Sequence, residues 1–422
     1  ACSIHRRDAC DTNMMLVIRR RGATVRFPMM REALLMGIRM HAQWLFEALD
    51  ARGRYLAPLR PRRLVLLLVL YPLHVLLQMV HWLGFLLDEL FFHRYREIVP
   101  KEPLIVTGIP GSGIMWTHRV LASASDTFTC LRTWEVLLAP SISERHVLVW
   151  LARMDRRIRS RPLHRLFDAL DKRLGRLLSY NAGFGLRLPA EDSLVLLMLG
   201  AHFPLISVFP ASRDLWQLAR FQEMPEHQRR LLVDFHKACL QKHLYWTGKG
   251  KRLLSSNSAF GSWLPDIRFA YPDARYLFCI REPGPALVAR LRSLHPALAL
   301  WGTGNASDTC SLELQTVMAH VYRILLKEKQ SFFVDHLAVV DHEEIKKDRA
   351  TRLVRSLKQL CIPVSGELSA TLTVAAEGHP ICYSERHPPL QARSGPKEFN
   401  TLVGDIYREI LAQPHMVRDP AK

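Results

Sequence analysis

Cysteine is sparse in this chain and carries no pattern. There are eight in 422 residues, and no two stand in C-x-x-C spacing, which excludes the usual zinc sites; no metal is expected. Zinc-finger spacing, an aromatic RNA-binding signature and leucine-zipper heptads are all missing, so nucleic acid is not an expected partner. No internal repeat is visible. No apolar run follows ACSIHRRDAC promptly, so the start does not read as a secretory signal. Acids are also short: 39 Asp+Glu stand against 58 Lys+Arg, a formal charge of +19. That imbalance favours anionic partners such as phosphorylated cofactors or acidic lipid surfaces. What is present is the material of a globular fold: the chain is 49% hydrophobic and 23% charged, and long enough to bury a large core. Cys279 lies inside an apolar run and reads as buried and reduced.

Lysine is wholly absent from the first 63 residues, which hold thirteen Arg and five acids. The stretch Leu64–Leu87 then lacks Asp, Glu, Lys and Arg altogether, a length that matches a bilayer core. Pro72 is expected to interrupt it. His74, Gln78 and His81 recur on about one face, which fits two helices lying in an interface or packed on a domain better than one span. If the segment spans, the arginines before it put the N-terminus on the cytoplasmic side. Residues 27–46 read as a basic amphipathic helix. Residues 1–100 are therefore expected to form a basic, membrane-associating region ahead of a body at 101–422.

From residue 101 the pattern changes. The runs 103–108, 252–256, 274–280 and 336–341 read as short buried strands. Helical stretches at 145–178, 190–206, 226–246, 264–271, 311–330 and 347–361 separate them, and the last thirty residues read as Pro-rich and weakly helical. Alternating strands and helices imply an α/β fold of three layers: a mostly parallel sheet flanked by helices, P-loop-like at its first loop. A long helical insertion, 131–250, follows the first strand–helix unit. TGIPGSGIMW, residues 107–116, joins strand to helix with Gly108 and Gly113 in G-x-x-x-x-G spacing. Backbone amides at such a junction attract anions without help from side chains. An ATPase or kinase would place Lys and Ser/Thr where Ile114 and Met115 stand, so that chemistry is excluded.

The surroundings of the loop carry a wider similarity. PLIVTGIPGSGIMWTHRVL followed by RTWEVLLAP resembles the opening of the sulfotransferases that use 3′-phosphoadenosine 5′-phosphosulfate (PAPS). There the pattern runs T-G-x-P-[RK]-S-G-T-T-x-x-H-R-x-L and then R-T-W-E-x-L-x-A-P. LPAEDSLVLL (188–197), KRLLSSNSAF (251–260), FAYPDARYLFCIREP (269–283) and VVDHEEIKKD (339–348) resemble the later motifs in order and spacing, from about residue 100 to 400. The resemblance implies a PAPS site at Pro110, Gly111, Ser112, Gly113, Ile114, Met115 and Arg281, with Arg281 on the 3′-phosphate. It implies sulfuryl transfer to a hydroxyl or amine acceptor. An apolar front end would suit a lipid-like acceptor and a membrane-associated location.

Several of the family's side chains are replaced here. Gly111 stands for Lys/Arg, Ile114 and Met115 for two threonines, Ser256 for a lysine and Ala289 for a serine. Losing one transition-state donor typically costs about 10²–10³ in rate. A relative that keeps the fold for binding or scaffolding at a membrane therefore stands beside the active enzyme as an expectation. Arg119 or Arg132 is a candidate to supply the missing charge. Base candidates are His118, Glu191 and His202, with Asp192 beside Glu191. Each also has a structural reading: His118 as a brace for the loop's helix, His202 as a core histidine, Glu191 and Asp192 as first-turn caps. Asn257 sits on a loop after a strand, where a site residue is expected, but does not ionise.

Overall fold

A computed structural model describes residues 28–178, 185–247, 250–328, 331–379, 396–412 and 416–417. Five strands form one parallel sheet: β1 (Leu104–Gly108), β2 (Phe128–Thr129), β3 (Arg252–Ser256), β4 (Arg275–Ile280) and β5 (Leu337–Asp341), in the order β2-β3-β1-β4-β5. β1 is central; Leu104 pairs with Leu254 on one side and Arg275 on the other. The side chains divide by parity between two cores. Ile105, Tyr276, Phe278, Leu337 and Val339 face one, and Leu104, Val106, Leu277, Cys279, Ala338 and Val340 face the other. Both faces are covered, which is why these strands read as unbroken apolar runs rather than alternating ones.

Three helices precede the sheet: α1 (Pro28–Leu49), α2 (Ala51–Leu56) and α3 (Pro61–Phe91). α4 (Ile114–Ala122) follows β1. The insertion between β2 and β3 holds α5 (Thr133–Leu138), α6 (Ile142–Arg157), α7 (Pro162–Leu178), α8 (Arg213–Ala219) and α9 (Glu226–Thr247). α10 (Phe260–Ala270) leads to β4, and α11 (Pro283–Trp301) and α12 (Ser307–Glu328) to β5. α13 (His342–Lys347), α14 (Arg349–Gln359), α15 (Gly366–Gly378) and α16 (Pro396–Leu411) close the described chain. α4, α14 and α15 cover the second core, while α1 and α9 to α12 cover the first.

Some elements differ from the sequence reading. The stretch 145–178 is two helices, parted at Arg161, which has φ +44°; Asp155 bonds the amides of Leu163 and His164 at the start of the second. Residues 190–206 form 3₁₀ turns at Asp192–Leu199 and Phe203–Ser207, because Gly200 (φ +68°) and Pro204 break the run. Helix α11 is not marked by the sequence pattern because prolines punctuate it; Pro283 sits in its first turn, where the missing N–H is no loss. Pro72 does not interrupt α3, which runs unbroken through it. By length and composition this one helix is sufficient to cross a membrane.

The N-terminal helices share the main core. Trp44 and Phe85 are fully buried in it, and Trp44 stacks on Phe209 with ring centroids 5.2 Å apart. Helix α3 turns its polar side chains inward. Arg63 donates to the carbonyls of Val208 (2.8 Å) and Trp301 (3.3 Å), and His81 bonds Glu144 at 2.6 Å. The Asp88 carboxylate accepts from the amides of Ile142 and Ser143 and from Lys242 Nζ at 2.8–2.9 Å.

Candidate active site around the β1–α4 loop

The loop after β1 lies at the carboxyl end of the central strand, where open α/β sheets bind ligands. Its shape depends on glycine. Gly108 passes so close to β4 that a Cβ would stand 2.0 Å from the Cys279 carbonyl oxygen. Gly111 has φ +91° and would place a Cβ 2.6 Å from the Ala286 carbonyl oxygen. Gly113, at φ +94°, caps α4, and His342 Nδ1 lies 3.1 Å from where its Cβ would be. These conformations are strained for any residue with a side chain. Among the described residues no backbone partner takes the amides of Gly113, Ile114, Met115 or Trp116. They are the free donors of a helix start, and the helix dipole adds positive potential there.

The side chains of the loop are less available than the sequence implied. Ser112 does not offer its hydroxyl to a ligand: it is fully buried, and Oγ donates to the Cys279 carbonyl at 2.9 Å. Ile114 is buried in the second core and Met115 is half-buried. Pro110 is buried and holds the turn. Arg281 does face the loop. Its guanidinium donates to the Gly111 carbonyl at 3.2 Å and stands 3.9 Å from Glu343, while its buried Nε has no partner. Its carbonyl accepts from the Tyr322 hydroxyl.

His342, which opens α13, was not anticipated. Nδ1 lies 3.2 Å from the Ser112 carbonyl, which only accepts, so Nδ1 carries the hydrogen. Nε2 is buried without a partner among the described residues. Burial, then the charges of Arg281 and Lys346, push its pKa down to about 4.

The other walls converge from distant segments. Asn257 follows β3; Thr107 Oγ1 donates to its carbonyl at 2.9 Å, and its Oδ1 accepts from the Ala259 amide at 2.7 Å. Its Nδ2 is buried without a partner. The next residue, Ser258, donates to Glu191 at 3.3 Å. Desolvation raises the Glu191 pKa, opposed by the charge of Arg290, the Ser258 hydrogen bond and the charge of Arg119. Glu191 and Arg290 both retain some accessible surface, although burial is the main influence on each. His202 sits by the same arginine. Its Nδ1 donates to the Ser193 carbonyl at 3.2 Å, leaving Nε2 as an acceptor, and burial lowers its pKa to about 4.

Two candidates of the three, Glu191 and His202, thus meet around Arg290. The third, His118, is fully buried in α4 beside Arg119, with its pKa lowered to about 3 by burial and that charge. Asp192 is deeper still: desolvation raises it to about 7, against a 3.3 Å bond from the Ser256 amide. Of the arginines considered as replacements, Arg132 is turned away to the Arg187 carbonyl at 2.9 Å. Arg119 is buried and close enough to influence Glu191. Glu135 of the RTWE segment is structural. It accepts from the Arg132 amide at 2.7 Å and stands 3.3 Å from Arg145. Besides His342, neither Arg290 nor Ser258 is marked as a site residue by the sequence. The signal lay in the neighbours singled out: Arg290 follows Ala289, and Ser258 follows Asn257.

No family model matches the chain, and no curated protein sequence matches it. Solved structures do. Sulfotransferase STF1 from Mycobacterium tuberculosis H37Rv superposes with a TM-score of 0.59 at 13% identity, over 83% of this chain and 91% of that one. Sulfotransferase STF9 from Mycobacterium avium gives 0.57 at 16% identity, over 97% and 98%. The three-layer α/β fold is therefore shared with sulfotransferases along nearly the whole chain.

Proposed function

We propose that this chain is a sulfotransferase-like protein that holds a PAPS-type nucleotide against the β1–α4 loop. The observation that carries this is the set of unpartnered amides at residues 113–116, with the Arg281 guanidinium directed at the same loop. An anion fits there: positive-φ glycines leave room for close approach, and Arg281 Nε and Asn257 Nδ2 are buried donors without partners among the described residues. The first-turn amides of α4 would take a phosphate or sulfuryl oxygen. Arg281, tied to the Gly111 carbonyl, would take the 3′-phosphate while keeping the loop in shape. When bound, such a nucleotide supplies an activated sulfuryl group.

The chain's own residues then have separable tasks. Glu191 or His202 Nε2 accepts the proton of an acceptor hydroxyl or amine. Arg290 sits beside both; its charge favours a carboxylate at 191 against desolvation, and burial, with that charge adding to it, keeps the imidazole of His202 neutral. His118 is walled off and braces the start of α4.

A second reading, a relative that binds nucleotide without turnover, draws on one observation. No loop side chain is free to stabilise the departing phosphate: residues 111, 114 and 115 are Gly, Ile and Met, and the Ser112 hydroxyl is committed to Cys279.

Calorimetric titration of the full chain with adenosine 3′,5′-bisphosphate tests the shared premise. Binding is expected, weakened at least about tenfold by Arg281→Ala, the loss of a charge-assisted hydrogen bond of about 1.5–3 kcal/mol. Absence of binding would remove both readings. Transfer of labelled sulfuryl from PAPS to a panel of alcohols and amines then separates them: transfer supports the enzyme, and binding without transfer supports the silent relative.

A further inference from the structure

Helix α3 is amphipathic the wrong way round for a helix of a water-soluble surface. At about 100° per residue, Arg63, His74, Gln78, His81, Phe85 and Asp88 fall on one narrow stripe. That stripe faces the body, through the Arg63, His81 and Asp88 hydrogen bonds described above. The opposite face is apolar over its whole length. Leu68 and Met79 are each 65% exposed, and Val65, Val69, Leu76 and Leu83 are exposed beside them. Helix α1 extends the strip. His41 meets His74 at 3.1 Å (Nε2 to Nε2), and the helical period places Leu34, Ile38, Leu45 and Leu49 on the flank around His41. All four are exposed. Soluble monomers rarely show a continuous apolar patch of this extent.

We infer that α1 and α3 lie in the plane of an anionic lipid bilayer, as a monotopic docking face rather than a membrane span. The two ends of α3 are held on one body: Arg63 at its start to Val208 and Trp301, and Asp88 at its end to α6 and α9. Turning the helix across a bilayer would break the Arg63, His81 and Asp88 hydrogen bonds and carry His74, Gln78 and His81 into hydrocarbon, which is strongly unfavourable. Lying flat keeps every one of those bonds and immerses only the apolar face. Charge identifies the surface. Arg52, Arg54, Arg60 and Arg62 are exposed around the start of α3, with Asp50 the one exposed acid among residues 50–63. A second copy would bring the same arginines and another +19 to the contact; anionic headgroups neutralise them. The inference stands independently of the nucleotide reading.

The test is flotation of the full chain with vesicles of phosphatidylcholine alone and of phosphatidylcholine with phosphatidylserine. Binding is expected to be stronger on the serine lipid. Leu76→Glu with Met79→Glu should reduce it at least about tenfold on both vesicles, because two charges would be forced into the apolar layer. Arg60→Glu with Arg62→Glu should weaken it about tenfold or more on the anionic vesicles only, at roughly fivefold per basic residue near such a surface. All four positions are exposed, so melting and adenosine 3′,5′-bisphosphate titration should be unchanged, which separates failure here from failure of the nucleotide site. Cysteines placed at residues 60 and 94, with other reactive cysteines removed, should both react with an impermeant thiol reagent outside sealed vesicles. No flotation, flotation indifferent to Leu76→Glu and Met79→Glu, or labelling of one end only would overturn the proposal. So would a dimer in lipid-free solution that those two substitutions dissociate.

Discussion

At Gly111 the residue and the backbone are matched so closely that placing a cationic side chain there is expected to fail. With φ +91° and a Cβ 2.6 Å from the Ala286 carbonyl oxygen, Gly111→Lys should destabilise the fold by about 1–3 kcal/mol. It should also weaken adenosine 3′,5′-bisphosphate binding rather than strengthen it; denaturant melts and titration read the two effects. A second expectation at this scale concerns pH. His118, His202 and His342 have folded-state pKa values of about 3, 4 and 4. All lie below their ordinary value, so the unfolded chain binds more protons below about pH 6.5 and stability falls as pH drops from there towards 4. Asp192, raised to about 7, works the other way: its proton is kept by the folded state, so it favours the fold as pH falls from 7 towards 4. Burial also lowers His41, His74, His236, His243, His320 and His379 and raises Glu47, Glu191, Asp234 and Asp341; the lowered histidines outnumber the raised carboxyls, and net acid destabilisation is expected. His118→Gln should remove about one proton from the uptake on unfolding near pH 5, on the order of 2 kcal/mol of the pH dependence, measured by melts between pH 5 and 7.5.

Among the elements, α3 differs most from what its sequence pattern implies: it runs unbroken through Pro72. Composition shows an apolar run, and the recurrence of His74, Gln78 and His81 marks a face that fits an interface or packing on a domain. The structure turns that face into the attachment to the body, with Asp88 as its anchor. Asp88→Ala leaves the buried Lys242 ammonium and the first amides of α6 without their acceptor. A loss of about 3–5 kcal/mol is expected, against a smaller loss for Asp88→Asn, compared by urea denaturation. The strands were legible to within a residue, because burial on both faces makes them unbroken apolar runs. The two-residue β2 was not, being too short to form a pattern, and α11 was obscured by its prolines.

For the whole molecule, the front end is not a detachable appendage in its packing. Met40, Trp44 and Phe85 fill the same core as β4 and α12. A fragment beginning at residue 101 would expose that surface, and it is expected to be poorly cooperative, to bind a hydrophobic dye and to lose near-ultraviolet circular dichroism. The site was half legible for a related reason. Gly108, Gly113 and Arg281 stand in motifs with fixed local spacing. Arg290, Ser258 and His342 enter the site from three elements separated by long stretches of chain, and only packing brings them together.

The amino-acid order alone determined the α/β alternation, the anion-seeking strand–glycine–helix junction and the excess of positive charge, because each follows from local period or composition. It could not decide which polar groups remain free. Tertiary contacts committed the Ser112 hydroxyl to β4, drew Glu191 and His202 towards Arg290, and turned the polar stripe of α3 inward. Hydrogen-bond partners hundreds of residues apart are set by how layers pack, and burial then fixes each group's charge.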